Sequence, residues 1–332
     1  MPGSGVEVME IAAQTSVKGS PRKMTASVLF ERFGLLIFLC GLLIIASFAS
    51  PAFLQPDNLV DLLTQAAPLG MVVLGQTFVI LVRGLDLSVA SLMATVAVLA
   101  TAFRASDDSM IPVIFVAAIL FSAVVGLVNG WLVTKRHVSP FLATLAMMII
   151  LQGIRFAYTG GAPVSTLPPG ISFLANGHIL GLPVNLWVLA LLAVIFGIVL
   201  HRSRFGREIY MVGGSPVAAR FSGLSPDRVT IGCYVICSVL SGIGGLFLLG
   251  YVGTVSNWVG QGYELDSIVA AVMGGVALSG GRGGVIGALL GVAVLIVISN
   301  LVLLLGMPIE AQLIIKGIII VGAAAFYRTR LY

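Results

Sequence analysis

Charge is scarce in this chain. Only 9% of its 332 residues are Asp, Glu, Lys or Arg, whereas 58% are hydrophobic and mean hydropathy is +1.10. Soluble domains carry about 25% charged residues, so this chain cannot cover a water-facing surface of its size. That excludes a soluble enzyme, a nucleic-acid-binding domain and a disordered protein. The apolar stretches are continuous, without the alternation in short segments of a transmembrane β-barrel. Cysteines number three, Cys40, Cys233 and Cys237, all in apolar stretches. Cys233 and Cys237 stand one helical turn apart with no His or acid nearby, which makes them packing residues rather than a metal or redox pair. The three histidines lack metal-ligand spacing. A Gly-x-x-x-x-Gly-Lys-Ser/Thr sequence is absent, and Gly280–Gly284 lacks the Lys and does not follow a strand, so it is no phosphate loop. Neither metal nor cofactor is expected.

What is present is a series of long apolar runs. A helical span needs about 20 mostly apolar residues. Charge-free stretches bounded by Pro, Gly or charge fall at 33–50, 57–82, 86–103, 112–134, 141–159, 185–203, 229–251, 264–279, 284–305 and 308–327. The expected fold is therefore an all-α polytopic membrane protein with about ten transmembrane helices. Residues 160–184 are rich in Pro and Gly and should form a folded loop at the membrane surface. Residues 1–32 read as a cytoplasmic N-terminal tail, 33–327 as the transmembrane domain and 328–332 as a cytoplasmic C-terminal end.

Orientation follows from the basic residues. With the N-terminus inside and ten spans, 15 of the 18 Lys and Arg residues fall on the inner side. Arg104 falls outside, and Arg155 and Lys316 fall within spans, where both are expected to snorkel outward. Asp57, Asp107, Asp108, Glu264 and Glu310 all land outside. Both termini are thus expected in the cytoplasm.

The most basic inner segment is 201–228. It contains a punctuated short helix, Pro216–Ser222, with Ser215 as N-cap, Pro216 at the first position and Gly223 as the stop. Ser225, Pro226 and Asp227 repeat the start signal for the next span. One reading is an ordinary basic loop. The other is a docking element on a Gly-hinged tether that receives force from a cytoplasmic partner. Its small face would then be Ala218, Ala219 and Ser222, one helical step apart, with Arg220 pointing elsewhere.

These residues resemble the coupling segment, here 204–228, of bacterial ABC importer permeases of the ribose, xylose and galactose type. Gly206–Arg207, Gly213–Gly214, Ala218–Ala219 and Gly223–Leu224 match that pattern, with Ser215 where the family has Asn and Pro216 following it. Further similarity lies in Arg83–Ser91, Gly126–Val133, Ser139–Leu145, Gly262–Gly291 and Gln312–Ile320, in the family's order. The resemblance runs from about residue 30 to the end. It implies a permease for a monosaccharide or related polyol, working as a pair of permease copies in the bacterial inner membrane. It also implies ATP-binding cassette subunits that hydrolyse ATP and a periplasmic sugar-binding protein. Coupling would rest on Gly206, Arg207, Gly213, Gly214, Ser215, Ala218, Ala219, Arg220 and Gly223. The chain itself is expected to be no enzyme, and its surroundings to be lipid rather than nucleic acid.

Leu85-Asp86-Leu-Ser88-Val-Ala90 and Leu265-Asp266-Ser-Ile-Val-Ala270 share Leu-Asp-x-x-Val-Ala and open spans of opposite expected direction, which hints at two inverted five-helix halves. Asp86 and Asp266 would face helix N-termini, and Asp86 could also pair with Arg83. Polar residues for a pathway or gate are few: Gln76, Gly84, Asp86, Ser88, Asn129, Asn257, Asp266 and Asn300, with Thr77, Thr144, Trp258 and Gln261 as further candidates. They suggest no dense polar pocket and no aromatic cage. The rival reading is a self-contained, ion-coupled secondary transporter, against which the scarcity of acids within spans speaks.

Overall fold

The computed structural model describes residues 26–103, 107–163, 168–254, 256–308, 310–315 and 317–318, with side chains from residue 33 onward. The tail over residues 1–25, Arg104, Lys316, the end of the tenth expected span and residues 328–332 lie outside the described residues. Helices dominate: α1 (Ala26–Ala49), α2 (Pro56–Leu81), α3 (Val89–Ala102), α4 (Ile111–Lys135), α5 (Pro140–Thr159), α6 (Pro169–Asn176), α7 (Val184–Arg202), α8 (Arg204–Gly214), α9 (Pro216–Phe221), α10 (Pro226–Val252), α11 (Tyr263–Met273) and α12 (Val285–Leu304). Residues 310–315 begin a further helix. A two-stranded hairpin, β1 (His178–Ile179) against β2 (Leu182–Pro183), is the sole sheet among the described residues. Helix α1 begins at Ala26, earlier than the span expected from residue 33.

α2 and α10 form the centre. In their most apolar stretches 83% and 67% of residues are buried, against 22% in α5 and α7. The outer helices turn Phe48, Leu120, Ile149 and Leu191 outward, as helices apolar on every side do in lipid. Lipid supplies no hydrophobic drive between helices, so close approach of small residues takes over. On α4, Ala118, Ser122, Gly126, Asn129 and Gly130 make one buried stripe facing α10. A methyl group placed on Gly126 would lie 2.6 Å from the Tyr234 carbonyl oxygen and 2.7 Å from Val235 Cα.

Pro68 interrupts α2 from within. Proline has no N–H, so the carbonyl four residues earlier loses its helical donor. That carbonyl is Thr64, and the Asn185 side-chain amide of α7 donates to it at 2.9 Å. A second helix thereby splints the break.

Two expected spans are corrected. The stretch 86–103 holds only the 14-residue α3, and 264–279 only the 11-residue α11. At 1.5 Å per residue they reach about 21 Å and about 16 Å, short of a hydrocarbon core about 30 Å thick. Extended or turning backbone makes up the remainder. Segment 84–88 runs without helical bonds, and Gly275, Gly280, Gly281 and Gly283 in the turn after α11 all have positive φ. Irregular backbone at membrane depth survives where protein satisfies its polar groups. Leu87 N–H donates to Thr144 Oγ1 at 3.1 Å, Gly84 N–H to the Val79 carbonyl at 2.9 Å, and the Tyr234 hydroxyl to the Leu85 carbonyl at 3.3 Å.

The Pro- and Gly-rich loop folds as expected. α6 packs Ile171 and Ala175 on the end of α10, Asn176 Nδ2 donates to the Gly250 carbonyl at 2.9 Å, and Gly170 N–H donates to Asp108 Oδ1 at 2.7 Å. In the turn before α4, the amide and hydroxyl of Ser109 donate to Asp107 and hold its carboxyl below the usual range.

Candidate translocation path and coupling surface

Segment 84–88 carries the first polar group. The chain reverses at Arg83, φ 65°, and brings Asp86 into full burial three residues before α3. Asp86 Oδ1 accepts from the Ser88 amide at 2.9 Å and its hydroxyl at 2.6 Å, and Ser88 Oγ accepts from Asn129 Nδ2 at 3.0 Å. Three candidates from the sequence thus form one hydrogen-bonded chain between α3 and α4, with Thr144 of α5 holding the backbone beside it. Gln76 sits on α2, where Cys237 Sγ approaches its Oε1 at 3.6 Å. Asp86 Oδ2, Asn129 Oδ1, Gln76 Nε2 and Ser238 Oγ are buried without a protein partner. Buried polar atoms in folded proteins are mostly paired, so these four leave hydrogen-bonding capacity for something other than the protein.

Arg155 is the residue that sequence reading misjudged. It does not snorkel. It is 4% exposed, and its guanidinium donates from Nη1 to the Ser91 carbonyl at 2.6 Å and from Nη2 to the Asn257 carbonyl at 3.2 Å. Asn257 Nδ2 donates in turn to Thr159 Oγ1 at 3.1 Å. A guanidinium has five fixed donors and can staple several carbonyls at once, which offsets the cost of its burial. One residue thus fastens α5, the first turn of α3 and the loop after α10. Around it the structure gathers the polar pocket that the sequence did not suggest, lined by Gln152, Arg155, Asn257, Trp258, Gln261 and Glu264.

The remaining candidates are elsewhere. Asn300 exchanges amide hydrogen bonds with Asn58, at 2.8 and 3.2 Å, and ties α12 to the start of α2. Asp266 lies in the first turn of α11 with Glu264, whereas Asp86 lies ahead of its helix, so the two Leu-Asp segments have different settings. Asp86 does not pair with Arg83. The Arg83 guanidinium instead donates to the carbonyls of Gly213, at 2.7 Å from Nε, and of Gly214.

Those carbonyls end α8, where helix C-termini carry unpaired acceptors and attract cations. The Gly281 amide donates to the Leu81 carbonyl at 2.9 Å, and the Tyr210 hydroxyl to the Gly283 carbonyl at 2.7 Å. Burial raises the Tyr210 phenol above its ordinary value and keeps it a donor. A Cβ on Gly213 would fall on the Leu81 carbonyl and within 2.5 Å of Gly281 N. Gly213 is therefore a tight junction between α8, the end of α2 and the Gly280–Gly284 turn. Gly206, too, lies tightly against the Leu200 carbonyl, and Ser203 Oγ accepts from its amide at 3.0 Å to cap α8. Arg207 donates to the Arg202 carbonyl at 3.3 Å, and Gly214 has open space around its Cα.

Helix α9 follows its punctuation. Ser215 Oγ accepts from the Ala218 amide at 3.2 Å, and Gly223 turns the chain at φ 79°. Of the expected small face, Ala218 and Ser222 are exposed and Ala219 is turned inward. Ala219 is 3% exposed, while Val217 and Phe221 are 66% and 90% exposed. Arg220 and Lys135 share Asp227, at 3.3 and 2.7 Å. Among the described residues no group of His, Cys, Asp or Glu could hold a metal ion.

A short helix, α3, that opens on buried, partly unpaired polar groups inside helices that face lipid is a feature found in membrane transporters. The chain belongs to the family described as the permease component of the branched-chain amino acid transport system, which matches residues 58–324. The ribose import permease of Bacillus subtilis is 37% identical over 303 residues, covering 90% of this chain and 94% of that protein. The ribose import permease of Escherichia coli K12 is 35% identical over 93% of this chain and 97% of its own length. The galactose/methyl galactoside import permease of the same strain is 36% identical over 88% and 92%. No solved structure matches.

Proposed function

We propose that this chain is the membrane-spanning subunit of an ATP-driven ABC importer for a monosaccharide, a pentose or hexose, or a related small polyol. The observation that carries the reading is similarity over nearly the whole chain to import permeases for ribose and for galactose. In this reading a separate ATP-binding cassette subunit hydrolyses ATP and docks on α9, whose Val217 and Phe221 are exposed apolar groups at the end where Lys135, Arg202, Arg204 and Arg228 cluster. That end is the cytoplasmic one by the positive-inside rule, so both termini are cytoplasmic. A periplasmic binding protein delivers the sugar at the α6 end, and two permease copies assemble in the inner membrane. Sugar passes along Gln76, Gly84, Asp86, Ser88 and Asn129, with Asn257 and Asp266 at the far side, while Asn300 anchors helices. Coupling runs from Pro216–Phe221 through Gly213 and Arg83 to segment 84–88.

The test is reconstitution in proteoliposomes with the ATPase and the binding protein. ATP-dependent uptake of radiolabelled D-ribose or D-galactose is expected. Uptake by the purified chain alone on a pH step would replace this reading with that of a secondary transporter.

A further inference from the structure

We infer that the pocket around Arg155 and Trp258 is a binding site for a single sugar ring within the permease, a station between the delivering protein and segment 84–88. The inference rests on the sugar-importer reading. The pocket has a volume of about 100 Å³, space for several water-sized groups and so for one face of a furanose or pyranose.

Its chemistry is that of a small-ligand site, a few converging polar groups beside an aromatic face. The Trp258 ring is 58% exposed and held edge-on by Phe156, with centroids 6.0 Å apart. An exposed indole face supplies the flat, electron-rich surface on which the C–H face of a sugar ring rests. Gln152 and Gln261 bring amides that both donate and accept, the match for vicinal hydroxyls. Arg155 lines the pocket, with Nε buried and without a protein partner and its other nitrogens engaged by main-chain carbonyls. Glu264 faces the same space, with one oxygen accepting from the Gly262 amide at 3.0 Å. One cation and one anion leave the lining without net charge, as suits a neutral polyhydroxylated ligand.

The pocket also reaches the start of α3. Ala90 and Ser91 of the first turn of α3 line it, directly after the segment that holds Asp86 and Ser88. A ring lodged against Trp258 is thus one helical turn from the buried polar chain.

The experiment uses the full transporter with its ATPase and binding protein, carrying Trp258→Ala, Trp258→Phe or Gln152→Leu. Losing the stacking face or one amide should lower uptake of D-ribose or D-galactose about tenfold, the effect of one lost contact of ordinary strength. Trp258→Phe should restore most of it. Membrane abundance and ATPase stimulation by the loaded binding protein should stay unchanged. Independently, in permease with Trp131→Phe and Trp187→Phe, millimolar D-ribose or D-galactose should change the Trp258 fluorescence and L-leucine should not. Normal uptake in Trp258→Ala and Gln152→Leu, unmoved fluorescence, or a response to L-leucine alone would overturn the site. If an altered chain fails to insert, the fluorescence measurement decides. Failure of the unaltered transporter to take up either sugar would instead remove the importer reading itself.

Discussion

Arg83 donates from Nε to the Gly213 carbonyl at 2.7 Å across 130 residues of sequence. The bond joins the end of α2 to the end of α8. Immediately after Arg83 the backbone becomes the extended segment bearing Asp86. The basic end and the buried polar chain are therefore three residues apart along the backbone.

Arg83→Ala removes donors from two helix-terminal carbonyls, which costs about 1–3 kcal/mol where such groups are buried. Uptake by the reconstituted complex should fall more than the ATPase rate does. Arg83→Lys keeps the charge without the planar donor fork and should lie between. The ratio of sugar moved to ATP hydrolysed checks this. An unchanged ratio in Arg83→Ala would show that the junction carries no coupling.

The exposed face of α9 predicts a separation between two neighbours. Phe221→Asp should reduce co-purification of the ATPase about tenfold or more while leaving permease abundance normal, since hot-spot side chains at interfaces are worth about 2 kcal/mol or more. Ala219→Glu buries a charge against the protein's own surface and should instead lower permease abundance. Membrane immunoblots beside ATPase pull-down distinguish them. Equal ATPase retention in Phe221→Asp and the unaltered chain would move the docking site elsewhere.

Gly126→Val should destabilise the bundle. Its side chain would press on main-chain atoms of α10, which cannot swing aside, and overpacking of this kind costs about 1–3 kcal/mol. A lowered midpoint in detergent thermal unfolding is expected. Gly153→Val, with open space around its Cα, should leave the midpoint unchanged.

Asp86→Asn keeps an oxygen that can accept from Ser88 and cannot titrate. ATP-driven uptake should persist in this variant and resist a protonophore. Loss of uptake together with protonophore sensitivity in the unaltered transporter would make Asp86 a proton carrier and favour the ion-coupled alternative.

Much of the fold was legible because lipid imposes simple rules. Apolar length located the helices, and Ser215, Pro216 and Gly223 placed α9 within a residue, since capping depends on neighbours in sequence. α3 and α11 were overestimated because hydropathy runs on through the extended residues beside them. The polar candidates were legible as a set. Their grouping was not, because Asn129 meets Ser88 across 41 residues and Arg155 meets Asn257 across 102. Arg155 near a helix end has the sequence signature of a snorkelling side chain, and only the carbonyls of Ser91 and Asn257 distinguish the two. The outward face of α9 was missed for a similar reason. A helix of six residues has no periodicity from which to tell which side its own protein covers.

The Asn58–Asn300 clasp gives α2 a mechanical character. It fixes one end of a helix of 26 residues, and Asn185 stiffens the joint at Pro68, so any tilt of this rod would have Asn58 as its fulcrum. From Asn58 to the helix end at Leu81, just before Arg83, the arm is about 35 Å at 1.5 Å per residue. A swing of about 3° therefore carries the Arg83 end roughly 2 Å, on the scale at which packed elements shift in conformational switching. A displacement of that size at the basic surface would be enough to break the 2.7 Å bond from Arg83 to the Gly213 carbonyl, next to segment 84–88.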